Sequence, residues 1–274
     1  MATADESSAP SSGRDSSPRL IVLFGYWPPT DVGIETRPGI LWEWRRQITY
    51  RGYDVLAISP RFLEASFGGD WGPGEGELTV SYPGTSEGFW RTVQDRIPIA
   101  IMSFSRGQAG NSWLLEAAAR NLRRTAWIED ADGRRPRAGG SAADFSPYAN
   151  TRPKRGSPPD PTREAGRKRG SNLPMAAIVS ALNRHFDDGG LVASINPTGD
   201  VGSFVSEYMA YHVAWYRDHT ADHAAERRCL LAGHTHVGID VDPGDGAKAV
   251  ALQLDELINV LPAPPAPPAP PALA

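Results

Sequence analysis

The chain has 274 residues, 40% of them hydrophobic, with 28 Gly, 25 Pro, a single Cys and a formal net charge of −4. One thiol excludes internal disulfides and Cys-rich zinc sites, and the charge balance argues against a general nucleic-acid binder. No run approaches the ~20 apolar residues of a membrane span and the first residues hold no apolar signal core, so the expectation is a soluble, cytoplasmic protein with neither a nucleic-acid nor a membrane partner.

In chain order, residues 1–18 hold six Ser and no apolar period, and read as a disordered leader. Short apolar, β-branched runs at Leu20–Phe24, Asp54–Ser59 and Ile97–Met102 predict strands. A helix is expected over Ser112–Arg123. Between Ala131 and Gly170, ten Arg/Lys against four Asp/Glu, six Pro and six Gly with no period of 2 or 3.6 predict a basic loop insertion. It is either a solvated loop or a lid or anionic-partner contact beside an active site. Pro174 then precedes a stripe of Met175, Ile178, Val179, Leu182 and Phe186 at helical spacing. A strand at Leu191–Ile195, a helix over Ser203–Tyr216 and strands at Cys229–Gly233 and Lys248–Leu252 complete the pattern. Residues 261–274 form a Pro/Ala run with seven Pro, expected as a polyproline-like disordered tail.

Continuous apolar strands alternating with amphipathic helices imply an α/β fold: one three-layer α/β/α domain over residues 19–260 with a mostly parallel sheet. In such sheets functional residues gather where strands end and the following helices begin. Three segments satisfy that placement. Gly107-Gln108-Ala109-Gly110 follows a strand, and Gln108 can grip an amide through both a donor and an acceptor. Gly199–Glu207 joins a strand to a helix and puts Ser203 and Ser206 near a helix start, where orphan N–H groups can hold an oxyanion or where serine simply caps the helix. Leu230–Gly238 ends a buried strand with His234 and His236, which suit a general base. Two His on one strand face could also bind a metal, but no second cluster has ligand spacing, so no metal is expected.

Taken in this order, the segments resemble the pyroglutamyl peptidase I (pyrrolidone-carboxylate peptidase) family, phosphorylase/hydrolase-like in fold. The Gly-Gln/Leu-Ala-Gly-Gly-Arg segment leading to Leu/Ile-Glu-Arg-x-Ala-x-Asn is similar to Gly107–Gly110 with Leu115-Glu116 and Asn121. The family's Ser-Thr-Leu-Pro helix resembles Ser171-Asn172-Leu173-Pro174, and its nucleophile segment ending Cys-Asn lies over Val201–Glu207. His-Val/Ile-Pro matches His236-Val237-Gly238, and Gly-Phe-x-Pro-Phe matches Gly25–Pro29. The resemblance covers roughly residues 20 to 240.

It implies a catalytic triad with Ser206 in place of the nucleophilic cysteine, His236 as base and Glu116 as its acidic partner. It also implies substrate-binding roles for Gln108, Tyr26, Pro29, Phe204 and Val205, a peptide or small-molecule substrate, and no cofactor. Cys229, the one cysteine, is not at the nucleophile position. An alcohol is far less acidic than a thiol of pKa ~8.5, so its proton must leave as it attacks. Ser-His-acid triads achieve this on unrelated folds. The leading expectation is therefore a pyroglutamyl- or lactam-type amide hydrolase, a peptidase or amidase. A catalytically inactive homologue acting as a binding module, and an acyl-transfer or cyclising enzyme on the same scaffold, stay open, as does homo-oligomerisation.

Overall fold

The structure is a computed structural model describing residues 19–26, 29–60, 73–74, 76–78, 82–122, 160, 162–202 and 205–263. The expected leader, most of the basic insertion and nearly all of the Pro/Ala tail lie outside these residues. The described residues form eleven strands and four α-helices, in chain order β1 (Leu20–Gly25), β2 (Gly33–Ile34), β3 (Arg37–Pro38), β4 (Ile48–Tyr50), β5 (Tyr53–Ile58), α1 (Tyr82–Arg96), β6 (Ala100–Arg106), β7 (Ser112–Glu116), β8 (Ala118–Arg120), β9 (Lys168–Gly170), α2 (Met175–His185), β10 (Val192–Asn196), α3 (Val205–Thr220), β11 (Leu231–Val237) and α4 (Pro243–Val260). Among the described residues no helix is long and apolar enough to cross a membrane.

Seven strands form one sheet in the order β10-β7-β11-β6-β1-β5-β4. The central strands β11, β6, β1 and β5 are parallel. β7 runs antiparallel to β11 and carries β10 parallel to itself, while β4 is antiparallel to β5 at the other edge. Alternate residues of the central strands face opposite cores, which is why their sequences read as unbroken apolar runs. Ile21, Leu23, Val55, Ala57, Met102 and Phe104 join the core that includes α2 and α4 residues. Val22, Phe24, Leu56, Ile58 and Ile101 join the one that includes Phe89 and Val93 of α1 and Met209 and Val213 of α3. The α/β/α layering and mostly parallel sheet are as the sequence predicts.

Three elements differ from expectation, one of them Lys168–Gly170, which ends the expected loop insertion but pairs with β8 as strand β9. Ser112–Arg123 is not a helix: its described residues form β7 and β8. Trp113 and Leu115 are fully buried in the α2/α4 core while Glu116 faces the other way, a period of two. The alanine-rich stretch favours helix intrinsically, and pairing with β11, β10 and β9 overrides that preference. Lys248–Leu252 is not a strand but the middle of α4. Asp242 caps this helix by accepting from the backbone N–H of Gly244 and Asp245, Pro243 opens it, and buried Gly246, Ala249, Val250, Gln253, Leu254, Leu257 and Ile258 trace a helical stripe. A window of five residues hides that period. Gly246 is required by packing, since a Cβ there would lie 2.4 Å from Ile40 Cγ2.

Helix α1 was not among the expected elements. Its sequence contains Gly84 and Gly88, poor helix formers. Gly88 serves a close approach, because a Cβ would meet the Glu77 carbonyl oxygen at 2.4 Å.

Candidate functional site

The site is built where β6, β11, β7 and β10 end or begin beside α3. His234 and His236, two residues apart on β11, share one sheet face. On one side β6 places Ser103 opposite His234 and Ser105 opposite His236. On the other, antiparallel β7 places Glu116 opposite His234 and diagonal to His236, within reach for long side chains. Because β7 runs antiparallel to β11, its last residue lies opposite His234 in mid-strand while Trp113 near its start lies beside Val237, the last residue of β11.

His236 Nδ1 lies 2.8 Å from Glu116 Oε1, and the Glu116 side chain is 1% exposed against 15% for His236. The second carboxylate oxygen accepts from Asn196 Nδ2 at 2.7 Å, across the β10–β7 register. Both Glu116 oxygens are thus satisfied, as a buried carboxylate requires. Asn196 is held in turn: its Nδ2 also donates to the Asp200 carbonyl at 3.2 Å, and its Oδ1 accepts from the Thr198 N–H and hydroxyl at 3.1 and 2.7 Å. A carboxylate at Nδ1 places the proton there and leaves Nε2 as an acceptor. That is the arrangement of an oriented general base.

His234 is different in kind. Its ring lies between the Ser103 and Ser105 hydroxyls, each 2.8 Å from a ring nitrogen, and is 2% exposed. Burial, with a smaller contribution from His236, drives its pKa well below the usual value, so it is neutral near pH 7. The two imidazoles meet edge to face with centroids 5.0 Å apart. Among the described residues no group of three or more His, Cys, Asp or Glu could hold a metal.

Ser206 is the second residue of α3, and its hydroxyl donates to the Val201 carbonyl at 3.1 Å. No hydrogen bond joins Ser206 to His236 among the described residues. The structure therefore brings together His236 and Glu116, but not Ser206 with either. Next to it, Glu207 is fully buried and bonded by Arg120 through N, Nε and Nη2 at 2.8–3.0 Å. Arg120 also pairs with Asp200, which fastens the turn before α3 to β8.

The expected substrate contacts fall in several places. Gln108 is exposed on the β6–β7 turn, where its carbonyl accepts from the Ile239 N–H at 3.1 Å. Pro29 is half-buried, and its carbonyl accepts from Ile40 N–H at 2.8 Å. Tyr26 is buried at the end of β1, its hydroxyl donates to Thr85 Oγ1 at 2.7 Å, and burial raises its pKa. Tyr26 and Val205 belong to the same apolar cluster. Phe204 and Ser203 lie outside the described residues. Asn196, Ser103 and Ser105 were not anticipated from sequence, although the polar alternation Ser103-Phe104-Ser105 in an apolar strand, matched by His234-Thr235-His236, carried that signal. Cys229 is buried, and burial pushes its thiol up to about 12.

No family model and no curated protein matches the chain. Solved structures do. Pyrrolidone carboxyl peptidase from the hyperthermophile Pyrococcus furiosus aligns over 88% of this chain and 98% of its own, with a TM-score of 0.59 and 14% identity. Pyroglutamyl peptidase I from Bacillus amyloliquefaciens aligns over 88% of this chain and 95% of its own, with a TM-score of 0.54 and 15% identity. The shared property is the α/β fold, on a scaffold that carries peptidases in these neighbours.

Proposed function

We propose that this chain is an amide hydrolase acting on a pyroglutamyl- or lactam-type carbonyl, with Ser206 as nucleophile, His236 as general base and Glu116 as the group that orients and charge-stabilises the imidazole. The observation that carries this reading is the His236–Glu116 contact of 2.8 Å, braced by Asn196, with the other ring nitrogen left as an acceptor. The resemblance at Ser206 and a fold similar to two pyroglutamyl peptidases support it. In the reaction, Ser206 Oγ leaves the Val201 carbonyl, gives its proton to His236 Nε2 and attacks the amide carbon. The imidazolium then protonates the departing amine. Water, deprotonated by the same imidazole, hydrolyses the acyl-serine. N–H groups near the start of α3 or the Gly107 turn hold the oxyanion.

Turnover of pyroglutamyl and related amide substrates by Ser206→Ala is the test: loss of turnover is expected, and unchanged turnover overturns the mechanism. A second reading, a non-catalytic binding module, is favoured by one observation, the Ser206 hydroxyl committed to Val201. A fluorophosphonate that labels Ser206 supports the enzyme; no labelling, with no turnover of any such amide, supports the binding module.

A further inference from the structure

A cleft of about 250 Å³ opens between α3 and the segment 162–170, and Arg163, Arg167, Lys168, Arg169, Tyr211 and Asp218 line it. Four cationic side chains face one carboxylate there. Asp218 is already engaged on both oxygens: Oδ2 accepts from Arg169 at 2.5 Å, and Oδ1 from Arg217 at 2.5 and 3.0 Å. Arg169 also donates to Tyr211 Oη at 3.0 Å and to Asp160 at 3.2 Å, and Lys168 Nζ to the Thr198 carbonyl at 2.6 Å. Glu164, between the two remaining arginines in sequence, does not line the cleft. Arg163 and Arg167 therefore present exposed guanidinium groups that no carboxylate of the described residues neutralises.

The segment that carries them is built rather than loose. Asn121 is fully buried, and its side chain donates to the carbonyls of Asp160, Arg163 and Glu164 at 2.9–3.2 Å and accepts from Asp160 N–H at 3.0 Å. Its backbone donates to the Arg167 carbonyl at 2.7 Å and accepts from Gly166 N–H at 2.9 Å. Asp160, 1% exposed, accepts from the backbone and hydroxyl of Thr162. Gly166 adopts φ +83°, which a residue with a Cβ resists. One buried amide thus sets the curvature of the segment and fixes the Cα positions of both free arginines before any ligand arrives, which lowers the ordering cost of binding.

We infer that this cleft binds a phosphate group. Planar guanidinium forks make paired hydrogen bonds to oxyanions, and two of them beside a lysine suit a dianion with several acceptor oxygens better than a single carboxylate. The volume is below the ~300 Å³ at which drug-sized ligand pockets begin, so it holds an anionic group and not a large apolar body. The inference does not rest on the proposed hydrolysis.

Calorimetric titration of the whole chain with inorganic phosphate, glycerol 3-phosphate and acetate, at low ionic strength where such contacts are least screened, tests it. Expected is saturable binding of a phosphate compound, weakened roughly tenfold or more in the Arg163→Gln/Arg167→Gln double variant and unchanged in Ser206→Ala. Tighter binding of glycerol 3-phosphate than of phosphate identifies an esterified ligand, and the reverse order identifies the free ion. Neither arginine side chain is bonded within the described residues, so the double variant should keep the wild-type melting temperature. No saturation with either phosphate compound, equal affinity for acetate, or undiminished affinity in the double variant overturns the inference.

Discussion

His234 and His236 stand two residues apart on one strand face, next to the same neighbouring strands, yet their surroundings separate them. His234 is enclosed by two serine hydroxyls and held neutral by burial. His236 keeps Nδ1 on a buried carboxylate and has a partly exposed side chain. The difference comes from Glu116. It lies in register with His234 but turns diagonally to His236, while Asn196 occupies its second oxygen. Residue type and sheet face are the same for the two histidines; the partner side chains decide which one is enclosed and neutral and which one meets a carboxylate.

The largest effect that would break this contrast is on turnover. His236→Gln should reduce amide hydrolysis by roughly 100- to 10,000-fold, the usual contribution of a general base, and a steady-state assay that finds less than tenfold would give His236 no more than a packing role. Asn196→Ala should act through Glu116. Losing a hydrogen bond to a charged group costs about 1.5–3 kcal/mol, so turnover should fall roughly tenfold or more, with fold retained by circular dichroism.

Stability against pH sharpens the buried side of the comparison, because His212 on α3 is a second enclosed imidazole. Its Nε2 lies 2.7 Å from Ser86 Oγ and its Nδ1 2.8 Å from the Tyr208 carbonyl. Burial lowers its pKa from 6.5 to about 4. The unfolded chain gains protons below about pH 6.5 while the folded chain does not, so this stability is full above pH 6.5 and is lost as pH falls toward 4. For the fully buried His212 the loss is on the order of 3 kcal/mol. His234 works in the same direction. Asp31, raised by burial from 3.8 to about 6, works oppositely, since its stability is present at low pH and is lost as pH rises through that interval. Melting curves from pH 7 to pH 4 should therefore show net acid destabilisation, with a shallower decline for His212→Gln. An equal slope in that variant would refute the assignment.

The smallest expected effect concerns Cys229. A buried thiol whose pKa is pushed up to about 12 is a poor nucleophile, so Cys229→Ala should keep turnover within about twofold, and thiol reagents should not inhibit the folded protein. Inhibition by such a reagent would move the chemistry away from Ser206.

Much of the central sheet was legible because β1, β5, β6 and β11 bury both faces, and an unbroken apolar run is the direct trace of that burial. β7 misled because Leu114, Leu115 and the alanines after Glu116 satisfy helical preference locally, while the hydrogen bonds that make them strands come from β9, β10 and β11, distant in sequence. α4 misled for the opposite reason: its period emerges over eighteen residues, not five. At the site, the motifs pointed to Glu116 and His236 together, and the structure places them in contact. Asn196 carried no local sign, since its role depends only on register across β10 and β7.

The sequence by itself determined the alternation of strands and helices and the chemical types at the ends of β7 and β11, because each depends on composition or short-range period. Only the tertiary structure decided that β7 runs antiparallel to β11, which of two neighbouring histidines meets the carboxylate, and that Asn121 shapes a cationic cleft out of a segment that reads as loop. Those outcomes rest on contacts between residues far apart in the chain, whose geometry no local pattern encodes.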